Sequence, residues 1–191
     1  MADNYARLLF ALQTAGIETD IWEHPFLRTL PRYCSSMLVP RVKKLPCFGD
    51  GGPVAGFTLA MLLLAGRGDG LARWYLDAAG LLEPGRIEDL LALLGAKVAP
   101  AAQVEPQSAY FADIGYACLR DGSRQDATFV AFTCGPPSMS VGHNHFDHNS
   151  FVLAWRGSWL AWDPGYRSYF NPPARKYTTS AFGHNTIVLD L

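Results

Sequence analysis

No stretch of this chain reaches the roughly 18 uninterrupted apolar residues of a membrane span. The apolar segment 57–65 (FTLAMLLLA) is far too short, and suits a helix buried on every side. Charge of one sign is also lacking. The formal net charge is −1, which excludes a global attraction to nucleic acid. A secretory leader is absent from the first residues, because Asp3, Asn4 and Arg7 interrupt them. Cysteine is scarce: Cys34, Cys47, Cys118 and Cys134 form no C-x-x-C pair, which argues against a cysteine-based zinc site and for buried free thiols. No internal repeat or low-complexity segment is evident.

What is present is a 49% apolar composition over 191 residues, enough core for one domain or two small ones. The first half has helical periodicity. Asp3 or Asn4 can cap a helix with Tyr5, Leu8, Leu9 and Leu12 on one stripe and Gly16 at its end. A second helix is expected over Pro25 to Met37, with Phe26, Leu30, Tyr33 and Met37 on one face and Pro31 marking a kink or the true start. Residues 40–53 (PRVKKLPCFGDGGP) must be a loop, after which Pro53 opens the apolar third helix. Asp69 can cap a fourth, with Leu71, Trp74, Tyr75 and Ala78 inward and Gly80 closing it. Residues 86–94 read as a fifth.

Residues 96–107, with two prolines among small side chains, read as a linker. The pattern then turns to period two. Tyr110 to Leu119, Thr128 to Cys134, Ser150 to Trp155, Ser158 to Trp162 and Thr186 to Leu189 are expected strands. Arg156-Gly157 is a tight turn between two of them. No useful helix is expected in this half, so the fold class is α+β and multidomain, with an antiparallel sheet or sandwich. The apolar strand expected at the very end needs a partner, which suggests that the natural protein continues beyond Leu191.

The chemistry is concentrated in Val141 to Gly165, VGHNHFDHNSFVLAWRGSWLAWDPG. Three of the five histidines, His143, His145 and His148, fall within its first eight residues. In an extended segment His143, His145 and Asp147 point one way, and Asn144, Phe146 and His148 the other. Asp163, in an Asp-Pro-Gly turn, and His184, in Gly-His-Asn-Thr, are the best distant partners for a metal, because imidazole and carboxylate are the usual zinc ligands. The same residues could instead be hydrogen-bonded polar groups without a metal. His148 and His24 read as loop or surface histidines. Trp155, Trp159, Trp162, Tyr166, Tyr169 and Phe170 could stack on sugar rings, or could be core.

Residues 143–148 (HNHFDH) resemble the H-x-H-x-D-H signature of metallo-β-lactamase-type zinc hydrolases. That reading requires a helix after Asn149. A second resemblance covers far more of the chain. G-H-N-H-x-D-x-N-S-F-x-L, a hairpin, D-P-G-x-x-x-Y and H-N-T-x-x-x-D are similar to the heparinase II/III family of polysaccharide lyases. Upstream, Pro25 to Tyr33 (one residue out of step) and the loop Pro46 to Asp50 resemble the end of that family's helical domain.

This resemblance implies the last helices of an (α/α) toroid over 1–97, then the first part of a β-sandwich over 108–191. It implies a zinc ion held by His145, Asp163 and His184, with His143 and Tyr169 in the active site and Tyr177 as runner-up to Tyr169. The implied reaction is β-elimination on an acidic polysaccharide, a glycosaminoglycan or alginate, by a periplasmic or secreted protein. The family's Asn/His pair and principal tyrosine have no match here, so the chain is expected to be a catalytically incomplete piece of a lyase. A non-catalytic carbohydrate-binding module is the other alternative.

Overall fold

A computed structural model describes residues 2–52, 54–82, 106–122, 126–135, 145–166 and 170–189. The chain divides into two compact units: Met1–Ser35 with Ala55–Glu105, and Ser36–Val54 with Pro106–Leu191.

The first unit is helical: α1 (Ala2–Thr14), α2 (Pro25–Met37, whose last turn enters the second unit), α3 (Thr58–Gly66) and α4 (Gly70–Ala79). α3 is the central element, with Leu59 to Ala65 all buried, and α1 and α4 pack on it. α4 ends where its sequence says it should. Asp69 Oδ1 accepts from Ala72 N–H at 2.8 Å. Gly80 takes φ +70°, and the N–H of Leu81 returns to the Leu76 carbonyl at 2.9 Å.

Several helical expectations shift. The buried stripe of α4 is Ala72, Tyr75, Leu76 and Ala79, so only Tyr75 of the expected set is fully inside. α1 begins at Ala2, ahead of either expected cap, and buries Ala6 and Leu9 while Tyr5 and Leu8 stay half exposed. α2 starts at Pro25, where a missing N–H costs nothing, and runs through Pro31, whose ring is buried. α3 starts at Thr58, after Phe57 in the left-handed region (φ +65°), rather than near Pro53. Pro53, the helix expected over 86–94 and most of the expected linker lie outside the described residues.

The second unit is built on an antiparallel meander in the order β1 (Ala109–Phe111), β2 (Tyr116–Arg120), β3 (Phe129–Thr133), β4 (Ser150–Trp155) and β5 (Ser158–Ala161). Alternation sorts its faces. Phe129, Ala131 and Thr133 pair with Ala154, Val152 and Ser150, and all six are buried. The opposite face carries Tyr110, Leu119, Phe132, Phe151 and Trp155, all exposed. Residues 36–54 cover part of the buried face. The Ser36 carbonyl accepts from Arg120 Nη1 at 2.9 Å, and Phe48 meets Tyr116 edge-on at 5.4 Å. The hairpin between β4 and β5 uses Arg156 (φ +49°) and Gly157 (φ +78°), the two left-handed residues that a right-twisted hairpin favours.

Three expectations for this half are corrected. Tyr110 to Leu119 is two paired strands, because Gly115 (φ +64°) reverses the chain between them. Thr186 to Leu189 forms no strand among the described residues; Asn185 Nδ2 instead donates to the carbonyls of Phe151 and Trp162. A helix does occur: α5 (Pro172–Thr179), capped by Asn171, whose Oδ1 accepts from Ala174 N–H at 3.2 Å. The Asn-Pro-Pro run is its start signal, masked in sequence by the surrounding strand pattern. Cys34, Cys47 and Cys118 are buried free thiols as expected, whereas Cys134 is exposed.

A Cβ on Gly115 would overlap the Cys134 carbonyl, and its φ is one that L side chains rarely adopt. Gly115→Ala should therefore lower unfolding stability by roughly 1–3 kcal/mol. Urea denaturation read by tryptophan fluorescence measures it; an unchanged midpoint would contradict the strain.

Candidate metal centre

Four short segments of the second unit meet: the loop 46–51, the turn 145–149 ahead of β4, the Asp163-Pro164-Gly165 turn after β5, and His184. Each is fixed locally. Asp163 Oδ1 accepts from Gly165 N–H at 3.0 Å, closing a side-chain turn that Gly165 completes at φ +55°. A Cβ on Gly165 would strike Cys47 Sγ and the Gly51 carbonyl. That carbonyl accepts from the Cys47 thiol and from Tyr166 N–H. Asp147 is held by Gly49 N–H, which donates to Oδ2 at 2.8 Å. Its own carbonyl accepts from Ser150 N–H at 3.0 Å, at the entry to β4. Phe146 N–H reaches the Thr179 carbonyl at the end of α5, also at 3.0 Å.

The two histidines are each paired with a carboxylate through one ring nitrogen. His145 Nε2 lies 2.7 Å from Asp50 Oδ1, and His184 Nδ1 lies 2.7 Å from Asp163 Oδ2. Both imidazoles and the Asp163 side chain are wholly buried. Ser150 Oγ donates to Asp163 Oδ2 at 3.3 Å. With the carboxylates as acceptors, His145 carries its proton on Nε2 and His184 on Nδ1, an assignment made from the partners. The other nitrogens, His145 Nδ1 and His184 Nε2, are buried with no hydrogen-bond partner among the described residues. Leaving a buried polar atom unsatisfied costs about 1–3 kcal/mol.

The ring centroids are 5.3 Å apart. One ligand atom from each of His145, Asp147 and His184 lies within 4.8 Å of the other two. Two free imidazole lone pairs and a carboxylate, the imidazoles backed by further carboxylates, fit a divalent metal.

The electrostatics agree. Burial opposes protonation of His184. The hydrogen bond to Asp163, the charges of Asp163 and Asp147 and the Thr178 carbonyl outweigh it, so the pKa is raised. Burial, then the charges of Asp163 and Asp147, pushes the Cys47 thiol up to about 12. Burial first, then Asp147 and Cys47, pushes the Tyr116 hydroxyl to about 12 against the lowering effect of a Thr133 hydrogen bond. A field that holds protons this firmly also favours a cation in their place.

Of the residues singled out by sequence, His145, Asp163 and His184 come together, with Asp163 against His184. His143 and Tyr169 lie outside the described residues. Tyr177 sits on α5, half exposed, on an open cleft of about 710 Å³ that it shares with Trp162, Phe182 and His184. His148 is exposed, and only its backbone carbonyl, accepting from Thr186 Oγ1, is engaged nearby. His24 is an exposed turn residue whose Nδ1 accepts from Phe26 N–H. The chain after Asn149 is the β4–β5 hairpin, not the helix that the zinc-hydrolase reading requires. Sequence reasoning gives Asp50 no role of its own, and places Asp147 on the same side as His145 and within the H-x-H-x-D-H match.

Residues 103–190 match the profile of the family described as Heparinase II/III-like, C-terminal. No curated protein shows significant similarity to the chain. Among solved structures, a heparinase III described as the BT4657 gene product matches over 90% of this chain and 24% of its own, with 20% identity and a TM-score of 0.57. A second heparinase III structure matches over 90% and 27%, with 18% identity and a TM-score of 0.55. Heparan sulfate lyase HepC from Pedobacter heparinus is a more distant match, over 75% and 20%, with 19% identity and a TM-score of 0.45. The chain thus spans about a quarter of the length of the heparinase III structures it resembles.

The burial and raised pKa of Cys47 predict thiol reactivity. Iodoacetamide at pH 8 should label exposed Cys134 quickly and Cys47 at least about 100-fold more slowly, since the thiolate is the nucleophile. Gly165→Ala should release Cys47 to labelling. Mass spectrometry of the peptides reads both; equal rates for Cys47 and Cys134 in the wild type would contradict the packing.

Proposed function

We propose that this chain is part of a zinc-containing polysaccharide lyase that cleaves uronic-acid-containing glycans by β-elimination. The observation that carries the reading is the pair of buried histidines, each with an unpartnered ring nitrogen, inside a unit that matches the heparinase II/III-like family. His145 and His184 would hold the zinc with Asp163, the carboxylate implied by the family resemblance. Asp147 is the alternative third ligand, favoured by its distance to both rings. Bound there, zinc supplies a fixed positive charge that orders the histidine segments and the Asp-Pro-Gly turn.

The proposed reaction removes the proton at C5 of a uronate, α to its carboxylate, and expels the sugar oxygen at C4. The proton is weakly acidic, so removal needs a positioned base and stabilisation of the enolate-like charge. His143 is proposed to contact the substrate carboxylate, and Tyr169 to donate or accept a proton, with Tyr177 as the alternative tyrosine. The heparinase III names of the matched structures make a heparin-type glycosaminoglycan the first glycan to test, with alginate second. We place 1–97 in a toroid and 108–191 in a sandwich, and the exposed apolar face of the sheet suits a sandwich partner. A periplasmic or secreted location is part of the same proposal. Among the described residues no helix is long and apolar enough to cross a membrane. The chain alone is proposed to lack a full catalytic set, so it should form little or no unsaturated uronate.

Elemental analysis tests the centre. The purified chain should carry about one zinc, lost in His145→Ala and His184→Ala and kept in His148→Ala. Loss in Asp163→Ala with retention in Asp147→Ala assigns Asp163 as the ligand, and the reverse assigns Asp147. Zinc that disappears with His148→Ala while persisting in His184→Ala would reject the lyase-type centre.

A further inference from the structure

We propose that Asp50 is a positioning residue for the metal centre: its carboxylate locks the His145 ring so that Nδ1 is the nitrogen presented to the metal. The inference rests on the metal reading above, and adds to it a residue 95 positions from its histidine.

The geometry is specific. Asp50 Oδ1 is 2.7 Å from His145 Nε2, and Asp50 is itself mostly buried, with 14% of its side chain exposed. An ionised carboxylate only accepts, so it selects the tautomer with the proton on Nε2 and leaves the Nδ1 lone pair free. That nitrogen has no hydrogen-bond partner among the described residues. An outer carboxylate both orients such a ring and raises its basicity toward a metal.

The loop bearing Asp50 is shaped for this task. Gly49 N–H fixes Asp147 at 2.8 Å, so two adjacent loop residues hold two members of the His145–Asp147–His184 group. The loop is anchored behind them. Gly51 N–H reaches the Phe48 carbonyl, the Gly51 carbonyl takes the Cys47 thiol and Tyr166 N–H, and Phe48 packs on Tyr116. Asp163 Oδ2 meets His184 at Nδ1, the opposite ring nitrogen to the one Asp50 holds on His145.

The test measures metal affinity on the full chain, by zinc competition against a chromophoric chelator, for wild type, Asp50→Ala, Asp50→Asn and His145→Ala. Cobalt(II) absorption reports the ligand set, and circular dichroism checks folding. Asp50→Ala should weaken zinc binding about 10- to 100-fold while still saturating near one metal, with the cobalt bands unmoved. Asp50→Asn should recover most of the loss, since its amide oxygen can still accept from Nε2–H. His145→Ala should lose the site. Wild-type affinity in Asp50→Ala overturns this proposal and leaves the metal centre standing. Altered cobalt bands with loss of stoichiometry in both Asp50 variants overturn it too, by making Asp50 a ligand. A wild-type chain that takes up no zinc overturns the metal reading, and the proposal with it.

Discussion

Two buried imidazoles, each hydrogen-bonded to a carboxylate at one nitrogen and without a partner among the described residues at the other, set the terms for the second unit. Neither ring is fully satisfied by the described residues. Burying a polar atom without a partner is costly, and such atoms are rare in native interiors. The surrounding carboxylates, Asp50, Asp147 and Asp163, add negative charge that burial leaves poorly screened. Both features are unfavourable in a bare core, and both become favourable around a divalent cation.

The rest of the unit supplies the precision. The β4–β5 hairpin sets the reach between the His145 turn and Asp163, and its Arg156-Gly157 turn fixes the register. Gly165 allows the Asp163 turn to lie against Cys47 and Gly51, where any side chain would intrude. The loop 46–51 then brings in Asp50 and Gly49 from far upstream. The centre is therefore assembled from non-local contacts, with long loop closures behind it.

Much of this was legible in the sequence, and the gaps have physical causes. The bounds of α2 and β4, the Asp69 and Gly80 caps and the Arg156-Gly157 turn could be read because each rests on local chemistry of a few adjacent residues. His145, Asp163 and His184 were legible as a gathering of ligand types. The role of Asp50 was hidden because nothing within 95 residues of sequence says which carboxylate will meet which imidazole. Asp147 shared a side with His145 by strand alternation, but its turn and its Gly49 contact are tertiary. β1 and β2 were merged because the one break between them, Gly115, sits in an otherwise apolar run. α5 was missed because eight residues give too few turns of periodicity to stand against a strand background.

The proposed centre would differ from a cysteine-held zinc, although the Cys47 thiol feels the charges of both Asp147 and Asp163. X-ray absorption at the zinc edge of the loaded chain separates the two directly. The account predicts two imidazoles and carboxylate oxygen at about 2.0–2.2 Å, with no sulfur at about 2.3 Å. A sulfur shell, or fewer than two imidazoles, would contradict it.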